Sequence, residues 1–413
     1  MTYLEDYVRN ELRTFDQLPY NAIDAMAFSV LSYTNLPNNI PEFDSQKYLS
    51  TVPIYELLRA EDYNTMFSHG SEEESRLHLL LLLAQSPRYR GLRIGEYIQR
   101  FDHETEQQFA AMTFDLSNCI GVGEQGLICI CYRGTDNTLV GWKEDFNMTY
   151  RYPVPSQVDA YEYAKSIVSK QTEDGKNPRA VICGHSKGGN MAYYAAMELL
   201  KHANDKVEDN NVFESLKQHI AVWYTKIRNQ YTEKMPFEQR LVKVYSFDGP
   251  GFDESVLNTE EYHRMEEYAE KFVPQDSIIG LLYYPGKYRI IRADANGILQ
   301  HLCENWIIEQ SDFIYCDQLS KSAITMNEAL NSFMLGLSQE ERKKLVDEEY
   351  EVLRAGGYET FTDLINNWQV ALPKIREASK HRDPQVTKFL SEMMSAISLA
   401  VVKGFSFTNI LGK

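Results

Sequence analysis

The pattern of hydrophobic and polar positions changes twice along the chain. Residues 1–105 are mostly helical in pattern, with apolar side chains at helical spacing after Asn21, which is a candidate helix cap. Residues 106–318 alternate short apolar runs, typical of strands, with helical segments, and residues 319–413 are helical in pattern again. Strands alternating with helices predict an α/β protein with a mostly parallel central sheet and helices on both faces.

These boundaries predict three parts. We expect a helical N-terminal leader packed on the core over residues 1–105, a core over 106–318 and a helical accessory region over 319–413. The polar stretch 203–238, rich in Asn, Asp and Glu, predicts an insertion within the core. Hydrophobic residues make up 43% of the 413 residues and charged residues 24%, which is the composition of a folded globular chain.

Charge and cysteine usage exclude several classes of protein. The net charge of −17 disfavours nucleic acid and acidic membrane surfaces, which need clustered positive charge. Six cysteines without a CxxC pair do not make a disulfide scaffold of this size. The N-terminus lacks the basic start of a signal peptide, and the longest apolar run, Leu79–Ala84, is too short to span a membrane. We therefore expect a cytoplasmic protein without integral membrane association.

One short motif predicts chemistry. Gly184-His-Ser-Lys-Gly188 fits G-x-S-x-G, and it stands between an apolar run at 179–184 and a helical segment at 188–200. A serine at a sharp strand-to-helix turn has its Oγ exposed above the sheet, where it can act as a nucleophile. Ser186 is therefore the candidate nucleophile, and the Lys187 amide is a candidate donor to an oxyanion. The structural alternative is a glycine-rich turn with a passive serine.

A nucleophilic serine needs a histidine and an acid, which in α/β-hydrolases follow it in the chain. Of the histidines after Ser186, only His301 lies in a loop between two strand candidates. The sequence leaves the choice of the acid open. The candidates are Asp248, Asp253, Asp276 and Asp294. We favour Asp276, in a loop after a strand candidate, and keep Asp248, which also ends a strand candidate, as the alternative or as a supporting carboxylate.

The second oxyanion donor is expected in a loop after an earlier strand. The segment Cys131-Tyr-Arg-Gly-Thr-Asp136 follows such a strand candidate, and Thr135 could offer both its amide and its hydroxyl. The alternative is that Gly134 and Asp136 only form a turn.

Several motifs in order resemble the class 3 (fungal-type) lipases. They are Tyr132-Arg-Gly-Thr135 with Trp142, Gly-His-Ser-Lys-Gly-Gly, Ser-Phe-Asp-Gly-Pro-Gly-Phe, Gln-Asp-Ser-Ile and Gln-His-Leu. Over about residues 15 to 310 the chain is more similar still to a bacterial α/β-hydrolase family of unknown function related to these lipases, which carries a leader motif like Pro19–Tyr33. The resemblance implies an α/β-hydrolase fold, with Ser186 as nucleophile, Asp276 as acid and His301 as base. It also implies Thr135 and the Lys187 amide as oxyanion hole.

Two positions depart from the lipase pattern. Lys187 stands where these lipases usually have leucine, so its ammonium is expected to alter acyl-chain or leaving-group preference. Asp248 stands where they have a small residue, and a carboxylate pointing into the site would disfavour anionic substrates.

The expected function is hydrolysis of a carboxylic ester, in a small molecule or a lipid, through an acyl-enzyme and without metal or organic cofactor. A non-catalytic scaffold for binding or regulation and a thioesterase or peptidase remain alternatives. The aromatic-rich segment 137–158 is a candidate lid or a packed element. The accessory region could cap the core, cover the site or mediate oligomers, and the sequence leaves the oligomeric state open.

Overall fold

The computed structural model describes residues 2–67, 73–136, 138–172, 174–202, 236–360, 363–364 and 367–379. Its centre is an eight-stranded sheet in which each strand lies beside its neighbour in the chain. The strands are β1 (Thr51–Pro53), β2 (Arg93–Asp102), β3 (Gln107–Asp115), β4 (Leu127–Tyr132), β5 (Arg179–His185), β6 (Leu241–Phe247), β7 (Ala269–Pro274) and β8 (Arg289–Ile291). β1 to β4 pair antiparallel, and β4 to β8 pair parallel. A small antiparallel pair, β9 (Ile308–Glu309) and β10 (Asp312–Phe313), follows.

Helices cover the sheet and extend the chain at both ends. They are α1 (Leu4–Asn10), α2 (Ala22–Leu31), α3 (Tyr63–Met66), α4 (Glu73–Gln85), α5 (Leu139–Asn147), α6 (Pro155–Ser169), α7 (Lys187–Lys201), α8 (Phe237–Arg240), α9 (Glu254–Leu257), α10 (Glu260–Glu266), α11 (Lys321–Leu335), α12 (Gln339–Arg354) and α13 (Trp368–Ser379). Short 3₁₀ helices occur at Ile54–Leu57, Ile279–Leu281, Gly297–His301 and Cys303–Asn305.

The central strands are apolar on both faces because helices pack on both sides of the sheet. Along β4, Cys129 and Cys131 belong to the hydrophobic cluster that includes α2, while Ile128 and Ile130 belong to the cluster that includes α6 and α7. This alternation follows the two-residue period of a strand. Together with the sharp turn from β5 into α7, the mostly parallel sheet between two helical layers is an α/β-hydrolase fold.

The leader is not only helical. The expected helix after Asn21 is confirmed as α2, and the Asn21 side chain accepts hydrogen bonds from the amides of Ile23 and Asp24. However, β1 and β2 also belong to residues 1–105 and form one edge of the sheet. The second half of β2 is exposed and polar, so its sequence lacks the apolar pattern that predicts a strand. The leader therefore supplies part of the sheet as well as a covering layer.

Other expectations for the core agree with the structure. The apolar runs at 108–116 and 126–132, whose pattern predicts the two strands of a hairpin, are the antiparallel neighbours β3 and β4. The run at 179–184 is the buried parallel strand β5. Most of the expected insertion, residues 203–235, lies outside the described residues, and α8 follows it. The division into leader, core and accessory region stays a prediction.

The C-terminal helices pack on α5. Leu139 and Val140 of α5 share one hydrophobic cluster with buried side chains of α11, α12 and α13. The described part of the candidate lid, residues 138–158, thus consists of α5, the loop after it and the first turn of α6, and α5 packs against the C-terminal helices. Arg342 of α12 adds a hydrogen bond from Nη1 to the Thr149 carbonyl, at 2.7 Å. Within the described ranges, no helix combines the length and hydropathy that crossing a membrane requires.

Candidate active site

Ser186 stands at a strained turn between β5 and α7. Its backbone angles are φ 57° and ψ −131°, a combination that residues other than glycine rarely adopt. The turn brings backbones together: a Cβ at Gly188 would lie 2.2 Å from the Tyr132 carbonyl oxygen. The Ser186 amide donates to the Phe247 carbonyl at 2.9 Å, which ties the turn to the end of β6. This is the geometry of a nucleophile elbow, in which strain is maintained by the surrounding packing.

The imidazole of His301 meets a buried carboxylate. His301 is the last residue of the 3₁₀ helix Gly297–His301, and its Nδ1 lies 2.6 Å from Asp248 Oδ2. A carboxylate only accepts, so Nδ1 donates and Nε2 is left as the basic nitrogen. Asp248 directly follows β6, the strand beside β5, and has no exposed surface. Its second oxygen, Oδ1, accepts from Ser277 Oγ at 2.6 Å.

Asp276, the acid that we favoured from the sequence, has other partners. One of its oxygens, Oδ2, accepts from the amide of Gly297 at 3.0 Å and from Gln300 Nε2 at 3.2 Å. Asp276 therefore holds the start of the 3₁₀ helix that carries His301, while Asp248 occupies Nδ1 of the ring. Asp248 leaves β6 with a left-handed φ of 49°, and in this conformation its side chain contacts His301.

His185, the residue before Ser186, is a second buried imidazole in the site. Its Nε2 donates to the His301 carbonyl at 2.8 Å, so its Nδ1 accepts from the hydroxyl of Tyr33, also at 2.8 Å. Burial lowers the pKa of His185 well below its usual value, and the neighbouring His301 adds to this. A neutral His185 thus links the leader, through Tyr33, to the backbone that positions His301.

The loop after β4 places Thr135 at the site, and the Thr135 hydroxyl already donates a hydrogen bond to another side chain. Thr135 Oγ1 donates to Asp145 Oδ2 of α5 at 2.5 Å. A hydroxyl has one proton to donate, so in this conformation Thr135 has only its amide for an oxyanion. Burial raises the pKa of Asp145 to about 6, against the opposing effects of Lys187 and of the bond from Thr135. The expectation that both Thr135 groups are available is therefore corrected.

The Lys187 side chain lies inside the protein. Its Nζ is fully buried and donates to Gln108 and Glu144. Because the ammonium is not exposed, it cannot change acyl-chain or leaving-group preference by direct contact with a substrate, as the sequence led us to expect. Asp248 likewise bonds to His301 and Ser277, so it is a partner of the histidine rather than a free carboxylate facing the substrate.

Helix α11 contacts the loop behind Asp248. Asn327 and Asn331 of α11 bind the loop that follows β7: Asn327 Nδ2 donates to the Ser277 carbonyl at 2.9 Å, and Asn331 Nδ2 donates to the Leu281 carbonyl at 2.9 Å. This loop carries the Ser277 hydroxyl that bonds to Asp248. Nearby, Lys271 is buried, and burial lowers its pKa to about 7 despite the charge of Asp248.

Sequence reasoning missed several residues of this site. They are Tyr33, Gln108, Glu144, Asp145, His185 and Ser277. Three had a usable signal, since Tyr33 ends the leader motif, His185 lies inside the elbow motif and Ser277 lies inside the Gln-Asp-Ser-Ile motif. The others contact the site through tertiary packing, which no spacing in the chain reveals. Among the residues that the structure describes, no group of three or more His, Cys, Asp or Glu is placed to bind a metal ion.

Comparison with protein families identifies the family of this chain. The profile of the Mbeg1-like family matches residues 83–351, which is well over half of the chain. The chain belongs to the Mbeg1-like family. The range that matches the Mbeg1-like profile contains Ser186, Asp248 and His301 and extends into α12. No curated protein matches the sequence.

Two solved structures are similar to this Mbeg1-like chain. M37 lipase is 13% identical, with 76% of this chain and 79% of that chain covered and a TM-score of 0.31. The lipase from Rhizopus microsporus var. chinensis is 11% identical, with 71% of this chain and 90% of that chain covered and a TM-score of 0.32.

Proposed function

We propose that this protein is a serine hydrolase that cleaves carboxylic esters, with Ser186 as nucleophile, His301 as general base and Asp248 as the acid. The 2.6 Å contact between His301 Nδ1 and Asp248 Oδ2, beside the strained Ser186 elbow, carries the proposal. Such a contact fixes the imidazole tautomer that can accept a proton at Nε2.

In this mechanism Ser186 Oγ attacks the ester carbonyl carbon while His301 Nε2 takes the hydroxyl proton. Asp248 stabilises the imidazolium that forms. The carbonyl oxygen becomes an oxyanion, which the amides of Lys187 and Thr135 are proposed to bind at the N-terminus of α7. His301 then gives its proton to the departing alcohol, and the acyl-enzyme forms. Water, activated by the same histidine, cleaves it to release the acid and restore Ser186.

The surroundings of the site favour uncharged esters. Asp248 is buried and Asp145 is half-buried near the reacting groups, and the protein as a whole carries a charge of −17. An anionic substrate would meet this field at close range. We therefore extend the proposal to neutral esters and expect little activity on anionic lipids.

Ser186→Ala tests the proposal. The wild-type protein is expected to hydrolyse p-nitrophenyl esters and to react with a fluorophosphonate probe, with the label at Ser186 by peptide mass spectrometry. Ser186→Ala is expected to lose both activities and keep its fold. Ser169→Ala, which changes an exposed serine at the end of α6, is the matched control and is expected to keep both. Labelling that persists in Ser186→Ala would refute the assignment, and so would a wild-type protein that neither hydrolyses nor labels.

A further inference from the structure

The two proposed oxyanion donors lie on different elements, Thr135 on the loop after β4 and Lys187 on α7. The distance between their amides therefore depends on contacts that connect these two elements. We propose that the buried ion pair between Lys187 and Glu144 sets this distance, by holding α5 against the elbow. Lys187 and Glu144 are then positioning residues for the oxyanion hole. This inference rests on the proposed function.

The Lys187 ammonium is fully satisfied inside the protein. Its three hydrogens have three acceptors: the Gln108 carbonyl at 2.8 Å, Gln108 Oε1 at 2.8 Å and Glu144 Oε2 at 2.9 Å. Neither Lys187 nor Glu144 exposes any side-chain surface. The first side chain after the nucleophile is therefore anchored to β3 and α5 instead of reaching solvent.

Glu144 connects α5 to three other elements. Besides Lys187 of α7, Oε2 accepts from the Gln108 amide of β3 at 2.9 Å, and Oε1 accepts from the Ser156 amide at the start of α6, also at 2.9 Å. Hydrogen bonds to a charged group are stronger and more directional than neutral ones. The carboxylate thereby fixes both the position and the rotation of α5.

The residue after Glu144 continues the connection to the other donor. Asp145 accepts from Thr135 Oγ1 at 2.5 Å, and Gln108, which binds Lys187, also donates from Nε2 to the Gly134 carbonyl at 3.5 Å. One unbroken set of contacts thus runs from Lys187 through Glu144 and Asp145 to Thr135. The amides of the first and last residues of that set are the two proposed oxyanion donors.

The free energy of a buried ion pair distinguishes a positioning role of Lys187 and Glu144 from a purely stabilising one. A buried ion pair loses much of its Coulomb energy to desolvation, so replacing both partners by neutral groups of similar volume is often neutral for stability. The pair also carries no net charge, so removing both partners leaves the charge of the site unchanged. The replacement removes the directional hydrogen bonds that hold α5 in place. Because catalytic groups that are displaced even slightly work less well, the reaction rate is expected to fall.

The test is the double variant Lys187→Met/Glu144→Gln in the full chain. We expect kcat for a p-nitrophenyl ester to fall by about ten- to a hundredfold, while KM stays within about twofold, since the oxyanion forms only after binding. The Ki of a boronic acid, which forms a tetrahedral adduct with the serine, is expected to rise in parallel with the fall in kcat. If the ion pair only stabilised the fold, its loss would not change kcat and Ki while leaving KM unchanged.

A second buried ion pair provides the matched control. Lys170 and Glu96 are 2.5 Å apart, their side chains are 2% and 0% exposed, and their other partners are Asp44 and the Ser50 amide, away from the elbow. Lys170→Met/Glu96→Gln makes the same chemical change there and is expected to leave kcat within about twofold. An equal loss of kcat in this control would overturn the positioning role.

The outcomes distinguish the inference from the proposed function. An active wild type with an unimpaired, folded double variant overturns the positioning role alone. A wild type without hydrolysis and without a label on Ser186 overturns both. If the double variant does not fold, Glu144→Asp alone carries the test, because it keeps the charge that compensates Lys187 but shortens the reach of the carboxylate, and it is expected to lower kcat by about tenfold. An unchanged kcat in that variant also overturns the inference.

Discussion

The two sides of α5 differ in how the protein surrounds a buried carboxylate. On the core side, Glu144 accepts from Lys187 and from two backbone amides. On the C-terminal side, α12 buries Glu349, and neither of its oxygens has a hydrogen-bond partner among the described residues. Burial raises the pKa of Glu349 to about 8. The buried carboxylate on the core side is therefore fully paired, whereas the one in the C-terminal layer has no partner among the described residues, and its charge is expected to change with pH near 8.

Catalysis is expected to depend on the core side, and the largest effect should come from Asp248. Asp248→Asn keeps the shape but allows an amide NH₂ to face His301 Nδ1, which favours the wrong tautomer. We expect kcat/KM for ester hydrolysis to fall by about 10⁴-fold, the loss typical of this change in a serine triad. Asp276→Asn is the matched variant and is expected to lose less than about tenfold, because Asp276 supports the backbone before His301. The reverse order of effects would restore Asp276 as the acid.

A second comparison replaces one glycine by alanine on each side of α5. At Gly134 a Cβ would lie 2.5 Å from the His185 carbonyl oxygen and 3.0 Å from Ser186 Cβ, so the loop carrying Thr135 must move. We expect Gly134→Ala to lower kcat by about a hundredfold. At Gly356, after α12, the nearest atom is the Leu353 carbonyl oxygen at 3.1 Å, and Gly356→Ala is expected to keep kcat within about twofold. Equal losses in the two variants would mean that the C-terminal layer also shapes the site.

Sequence patterns predicted the parts of the site that are local in the chain. The elbow needs only a strand, a glycine-bounded serine and a helix in succession, and β5, Ser186 and α7 have that order. His301 was selected because it lies in a loop, and the structure places its ring against a buried carboxylate. The fold class followed from the alternation of apolar runs and helical segments in the same way.

The choice of acid could not be made from the sequence. Asp248 and Asp276 both follow strands, and both lie between Ser186 and His301 in the chain. What separates them is the left-handed φ of Asp248 and the position of β6 beside β5, which are three-dimensional properties. The leader strands escaped prediction because β2 is partly exposed and its apolar positions do not alternate regularly.

The last prediction concerns the C-terminal side, where the effect is on stability and the expected change in activity is the smallest. The folded pKa of Glu349, about 8, lies above its unfolded value of about 4.5, so folding takes up a proton between these two values. The stability that the wild type has below pH 4.5 is therefore progressively lost as the pH rises through 8. Glu349→Gln cannot ionise and is expected to be more stable than the wild type at pH 9, by up to about 5 kcal/mol, and similar to it at pH 4.5.

Urea unfolding at pH 4.5, 7 and 9 measures this difference. Glu351→Gln removes an exposed carboxylate from the same helix, and it is expected to follow the wild type at every pH. Ester hydrolysis by Glu349→Gln should stay within about twofold of the wild type, because Glu144, and not Glu349, connects α5 to the elbow. A stability difference that does not change with pH would show that Glu349 is paired in solution, and the contrast between the two sides of α5 would then be lost.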